Sequence, residues 1–166
     1  MNPDAKPLRV LFLCTRNACR SQMAEGWARH LKAGVLEPYS AGVDVGILDP
    51  RAVRVMAECG VDIAAQRSKR VEEFAGLAFD FVVTVCDSAR ELCPVFPGRT
   101  HAVHVGFADP PALAEDARTE EEALGHYRRV RDEIRAFVAS LPTGFYGRGP
   151  TAGPSATARG AGEEIR

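Results

Sequence analysis

The segment Cys14-Thr15-Arg16-Asn17-Ala18-Cys19-Arg20-Ser21 holds the residues of this chain whose types and spacing best suggest chemistry. It follows the apolar run Leu8–Leu13 and precedes a pattern of helical period that opens at Ser21. A loop between a strand and a helix directs successive backbone N–H groups at one point, and the helix N-terminus adds partial positive charge. Such a loop can wrap a tetrahedral oxyanion. Arg20, at the helix start, can clamp two oxygens of that anion with paired hydrogen bonds. Cys14, at the strand end, would place its sulfur in the cradle. A thiolate there is stabilised by the amides, the helix dipole and Arg20, which predicts a pKa in the range ~3.5–7.5. Ser21 could donate a hydrogen bond to it, so that Cys14 becomes a nucleophile beneath an anion site. The competing reading is a buried strand cysteine beside a surface arginine. Cys19 is read as packing under the first helical turn.

The elements that must position this loop read as alternating strands and helices. Leu8–Leu13 is a buried strand bounded by Pro7. Ser21–Lys32 carries Met23, Ala24, Trp27, Ala28 and Leu31 on one face, with Gly34 as its stop. Val35–Ser40 is a weaker strand. Asp49-Pro50 opens a helix that Gly60 closes. Val71–Ala75 is a short helix, Phe79–Val85 a strand, Asp87–Leu92 a short helix and His101–Val105 a fourth strand. Glu120–Leu141 is a long helix with Leu124, Tyr127, Val130, Ile134, Phe137, Val138 and Leu141 inward. The alternation implies a mostly parallel sheet covered on both faces, hence an α/β fold. Residues 1–143 read as one catalytic domain. From Gly144 the composition turns to Gly, Pro, Ala, Thr and Ser, and 144–166 is expected to be a flexible tail.

Bulk properties narrow the partners. The formal net charge is −1, whereas a nonspecific nucleic-acid or membrane-surface binder would be clearly basic. No apolar stretch nears the ~20 residues that cross a bilayer, and Met1–Pro7 lacks the pattern of a signal peptide. A cytoplasmic, monomeric protein is therefore expected. The five cysteines, Cys14, Cys19, Cys59, Cys86 and Cys93, are odd in number, which argues against a disulfide framework.

The pattern Cys-x5-Arg-Ser between the first strand and first helix resembles the low-molecular-weight protein tyrosine phosphatases. The fuller string Cys14-Thr15-x-Asn17-x-Cys19-Arg20-Ser21-Gln22-Met23-Ala24-Glu25-Gly26-Trp27 is similar to the thioredoxin-coupled arsenate reductases built on that fold. The likeness continues through Tyr39-Ser40-Ala41-Gly42, Val82-Val83-Thr84-Val85-Cys86, Cys93-Pro94, Gly106-Phe107-x-Asp109-Pro110 and Arg129–Ile134. It implies a three-layer α/β/α fold with a four-stranded parallel sheet.

The resemblance also implies a set of roles. The phosphatases need only the loop cysteine, whereas the reductases use three. Arsenate, with phosphate or sulfate as competing oxyanions, would bind the loop and Arg20. Cys14 would be the nucleophile, Asp109 the proton-transfer acid, and Cys86 then Cys93 the resolving thiols. Reduced thioredoxin would be the electron donor, with no bound cofactor. A regular helix would hold Cys86 and Cys93 about 10.5 Å apart at ~1.5 Å per residue, and a disulfide needs Cα atoms within roughly 7 Å. The pair could bond only if Asp87–Leu92 unwinds, so this segment is expected to be a switch. Otherwise the two are buried, inert thiols, and Asp109 is a turn aspartate before Pro110-Pro111.

Two positions depart from the family. Arg16 stands where glycine is common. Asn17, Glu25 and Ser40 match ligands of a potassium site found in some members, but the aspartate position of that site is occupied by Lys69, so no metal is expected. The closest rival is a tyrosine phosphatase using Cys14, Arg20 and Asp109, although Asp109-Pro110-Pro111-Ala112 lacks the tyrosines that usually follow the family's Asp-Pro. A remoter rival is a metal module built from Cys86, Cys93, His101 and His104.

Overall fold

In the computed structural model, which describes residues 4–146, the apolar run after Pro7 forms β1 (Leu8–Cys14) and ends on the loop cysteine. Val10, Leu11, Phe12 and Leu13 are all inaccessible to solvent. A strand covered on both faces needs this unbroken apolar sequence. β2 (Leu36–Gly42), β3 (Phe81–Thr84) and β4 (His101–His104) join it in a parallel sheet of order β2-β1-β3-β4. The observed β2 runs two residues past Ser40, because Ala41 and Gly42 pair with Leu13 and Cys14. The observed β3 leaves out Phe79, whose ring instead packs edge-on against Tyr39 and Phe96.

Side-chain alternation along β2 identifies the two outer layers. Ser40 faces α1 (Arg20–Leu31), where it bonds Glu25. The preceding residue, Tyr39, points the other way, into an edge-to-face aromatic cluster with Phe74 and Phe79. Phe74 ends a 3-10 turn at Val71–Phe74. α3 (Asp87–Leu92) connects β3 to β4. The crossovers β1-α1-β2 and β3-α3-β4 run in opposite directions along the sheet, and right-handed connections then place α1 and α3 on opposite faces. The three-layer α/β/α arrangement expected from sequence is therefore present.

α2 (Pro50–Glu58) starts where Asp49 caps it by accepting from the Arg51 amide at 2.9 Å. α5 (Glu120–Ala139) starts at Thr119, which accepts from the Glu122 amide, and ends two residues before the predicted Leu141. Glu58 takes a bidentate pair from Arg128 and a third bond from Arg131, joining α2 to α5. In α1, a Cβ on Gly26 would lie 2.5 Å from Ile63 Cγ2, so this close helix–loop approach requires glycine.

Three elements were absent from the sequence reading. α4 (Pro110–Leu113) occupies what reads as a Pro-Pro turn, and a 3-10 turn follows at Ala114–Asp116. α6 (Thr143–Tyr146) falls at the start of the expected tail. Phe145 is buried there and its ring stacks on Phe81, with centroids 3.9 Å apart. The remainder of that expected tail, 147–166, lies outside the described residues. Among those that are described, no helix is long and apolar enough to cross a membrane.

Candidate active site

The loop from Cys14 to Arg20 sits at the C-terminal end of β1, as the sequence predicts. Its curvature depends on Asn17, which is fully buried and adopts φ 51°, the left-handed region that asparagine tolerates better than most residues. The Asn17 amide is saturated. Nδ2 donates to Ser21 Oγ at 2.8 Å, and Oδ1 accepts from the Lys69 backbone N–H and from Gln22 Nε2, each at 2.9 Å. Gln22 is held in turn by Gln66, whose Nε2 donates to Gln22 Oε1 at 2.7 Å. Gln22 and Gln66 were not singled out from sequence. Gly42 walls the loop from β2. A Cβ there would lie 2.8 Å from Arg16 C and Asn17 N and 2.4 Å from Asp44 O.

Arg20 opens α1 and is 9% exposed. Its Nη1 donates to the Phe107 carbonyl at 2.8 Å, and its Nη2 lies 3.5 Å from Asp109 Oδ1. Its Nε is buried with no acceptor among the described residues. Asp109 caps α4 by position and is about half exposed. Arg16 is an exposed rim residue whose Cβ and Nε lie against Gly46. Ala18 holds the next loop, its carbonyl accepting from the Asp49 amide at 2.8 Å. Cys19 is buried at the helix start, as expected, and burial pushes its thiol pKa up. Ser21 is buried as the acceptor for Asn17. Its expected donation to Cys14 is not among the hydrogen bonds of the described residues.

Cys14 and Cys86 are brought together. Register explains this: Leu13 pairs with Thr84, so the ends of β1 and β3 lie side by side. Cys86 follows in extended conformation as the last residue before α3. The two thiols interact, and this couples their ionisation. The Cys14 thiol is pushed up, first by Cys86 and then by burial. The Cys86 thiol is pulled down to about 5, chiefly by Cys14, with further help from the Thr15 hydroxyl, the Ala89 amide and Arg20. Thr15 Oγ1 lies 3.0 Å from Cys86 Sγ. The pair therefore loses its first proton easily and its second with difficulty.

Cys93 stands at the far end of α3 and is half-buried. Its Sγ lies 3.5 Å from the Pro94 carbonyl, and burial raises its pKa. The segment between the two cysteines is helical, as predicted, and all five cysteines are free thiols.

Beneath the loop, Ser40 Oγ donates to Glu25 Oε1 at 2.5 Å. Lys69 Nζ lies 3.4 Å from Ser40 Oγ, 3.7 Å from Glu25 Oε1 and 2.8 Å from the Arg67 carbonyl. Burial lowers the Lys69 pKa, and Glu25 opposes that shift. Of the metal alternative, both ring nitrogens of His104 are already engaged, by Thr84 at 2.8 Å and by Asp87 at 3.1 Å. No group of three or more His, Cys, Asp or Glu placed to hold a metal occurs among the described residues.

Comparison with known proteins agrees with this geometry. The family model described as low molecular weight phosphotyrosine protein phosphatase matches residues 9–143. An arsenate reductase of Halalkalibacterium halodurans is 45% identical over 125 residues, covering 75% of this chain and 88% of that one. Among solved structures, an arsenate reductase from Archaeoglobus fulgidus aligns with TM-score 0.63 and 33% identity, covering 80% of this chain and 97% of its own. The arginine phosphatase YwlE of Geobacillus stearothermophilus aligns with TM-score 0.64 and 25% identity, covering 86% and 95% respectively. On the matched span and on the loop that opens it, this chain belongs to the low-molecular-weight phosphotyrosine protein phosphatase family.

Proposed function

We propose that this protein reduces arsenate to arsenite through Cys14, Cys86 and Cys93, and that thioredoxin reduces the resulting disulfide. The observation that carries the reading is the placement of Cys86 beside the anion loop that Cys14 opens: the ends of β1 and β3 are register neighbours, and the Thr15 hydroxyl lies 3.0 Å from Cys86 Sγ. Hydrolysis needs one sulfur there, and a second is useful only if the first must be attacked. The arsenate reductases among the relatives support the same choice.

Arsenate oxygens accept from the loop amides and from Arg20, whose buried Nε still has a donor to give. Cys14 attacks arsenic as its proton passes to Cys86, and Asp109 protonates the departing oxygen. Cys86 then gives up its proton to solvent water, aided by Thr15, the Ala89 amide and Arg20, which stabilise the thiolate. Its thiolate attacks the Cys14 sulfur. The S–As electron pair stays on arsenic, which leaves as arsenite, and a Cys14–Cys86 disulfide remains. Cys93 attacks Cys86 and expels Cys14 as thiolate. The dithiol of thioredoxin reduces the Cys86–Cys93 bond by exchange and is itself oxidised. Because a six-residue helix separates Cys86 from Cys93, the third step requires α3 to unwind.

The test is arsenate-dependent NADPH oxidation with thioredoxin and thioredoxin reductase, comparing the wild type with Cys93→Ser. Steady turnover in the wild type, reduced to a single-turnover burst or less in the variant, is expected. The Arg20–Asp109 arrangement favours a second reading, a phosphatase like YwlE. It predicts no arsenate-dependent oxidation and equal aryl-phosphate hydrolysis in both proteins. Cys86→Ser separates the two further, since it abolishes reduction and spares hydrolysis.

A further inference from the structure

α3 must open for Cys93 to reach Cys86 on the reading above, and one contact resists that opening. Asp87 is the first residue of α3 and the neighbour of Cys86 in sequence. Its side chain is 80% exposed, yet Oδ1 lies 3.1 Å from Nε2 of His104 on β4. The His104 ring is only 16% exposed, and its Nδ1 lies 2.8 Å from Oγ1 of Thr84. Thr84 is the register partner of His104 on β3 and is buried. The imidazole is thus fixed to the sheet at one nitrogen and to α3 at the other. A carboxylate only accepts, so Nε2 carries the proton, and the Thr84 hydroxyl fills the role that Nδ1 leaves open. Among the described side chains of α3, Asp87 makes the only hydrogen bond to the sheet.

We propose that Thr84, His104 and Asp87 form a latch that holds the first turn of α3 closed, so that His104 is a positioning residue for the step that forms the Cys86–Cys93 disulfide. The latch keeps Cys86 beside Cys14 while the first disulfide forms, and it opposes the rearrangement that brings in Cys93. Releasing it shifts the Cys86/Cys93 couple toward the disulfide. An ordinary helix-end charge makes a different prediction, because Asp87 would then act on the helix dipole without His104.

The experiment is a redox titration of full-length Cys14→Ser protein in mixtures of oxidised and reduced dithiothreitol. Two thiols give two electrons and two protons to the cyclic disulfide, which becomes the dithiol. Trypsin cleaves after Arg90, so a Cys86–Cys93 bond is read as two linked peptides. The same background carries Asp87→Ala, His104→Phe, which keeps a ring without its nitrogens, and both together. Each single change is expected to raise the equilibrium constant for the disulfide about threefold, the scale of a part-exposed pair, and the double change no more than either one. An unmoved constant in Asp87→Ala, whose exposed side chain is safe to remove, overturns the latch and leaves the relay standing. Effects of the two substitutions that multiply also overturn it, in favour of the dipole. No Cys86–Cys93 bond at any poise overturns the relay and the latch together.

Discussion

The charge of the site belongs to a pair of sulfurs. The Cys86 thiol is pulled down to about 5, chiefly by its interaction with Cys14. An ultraviolet thiolate titration should therefore show an inflection near 5 in the wild type. In Cys14→Ala that inflection should move up toward the ordinary thiol range near ~8.5. An unmoved inflection would mean that Thr15, the Ala89 amide and Arg20 suffice alone. Lys69 makes a second residue-scale prediction. We propose that its ammonium, close to Ser40 and Glu25, takes the place a cation would fill. The melting temperature should then agree in potassium and sodium chloride to within about 1 °C, since an ion that binds only the folded state would raise it. A potassium-specific rise would refute this role for Lys69.

At the scale of elements, α2 and α5 are joined by a clamp that has its own pH range. Glu58 is pulled down to about 2, chiefly by its bidentate pair with Arg128 and then by Arg131. Its folded pKa lies below the ordinary 4.5, so its contribution is complete above that value and is lost as pH falls toward 2. Glu58→Gln should cost about 1 kcal/mol near pH 7 by urea unfolding. The difference from wild type should shrink between pH 4.5 and 2. The elements themselves were largely legible. β1, α1, α2 and α3 stand within a residue or two of their patterns, because apolar period, the Asp49-Pro50 cap and the glycine stops are local signals. α4 was hidden because Pro110-Pro111 suits a first helical turn as well as a loop. The latch and the Gln22–Gln66 support were hidden because each joins polar residues far apart in sequence, and a single chain gives no local sign of such contacts.

For the whole molecule, the boundary of the fold moves outward from Thr143. Phe145 stacks on Phe81 and lies edge-on to Phe137, so α6 ties residues 143–146 to β3 and α5. The tail composition concealed this, since one buried ring in a Gly-rich stretch forms no periodic pattern. Phe145→Ala should lower stability by about 3 kcal/mol in thermal or urea unfolding. Tyr146→Ala, at a residue 68% exposed, should stay within about 0.5 kcal/mol of wild type. Equal stability of both variants would return the boundary to Thr143. The loop, its arginine and its acid were readable because one strand–loop–helix unit and one Asp-Pro carry them. The nearness of Cys86 to Cys14 came only with the family resemblance, because it depends on β1 and β3 being neighbours and on the register between them.

That register has a consequence for anyone who would transplant the second thiol. Along an extended chain the side chains alternate, so Val85 and Cys86 look to opposite faces. A cysteine written one position earlier would be just as close in sequence and would face away from Cys14. A one-residue deletion within β3 would do the same to the native Cys86. Grafting a resolving thiol onto a relative that has only the loop cysteine is therefore a matter of odd and even. A scan of cysteines along the end of β3 should give alternating competence rather than a gradient.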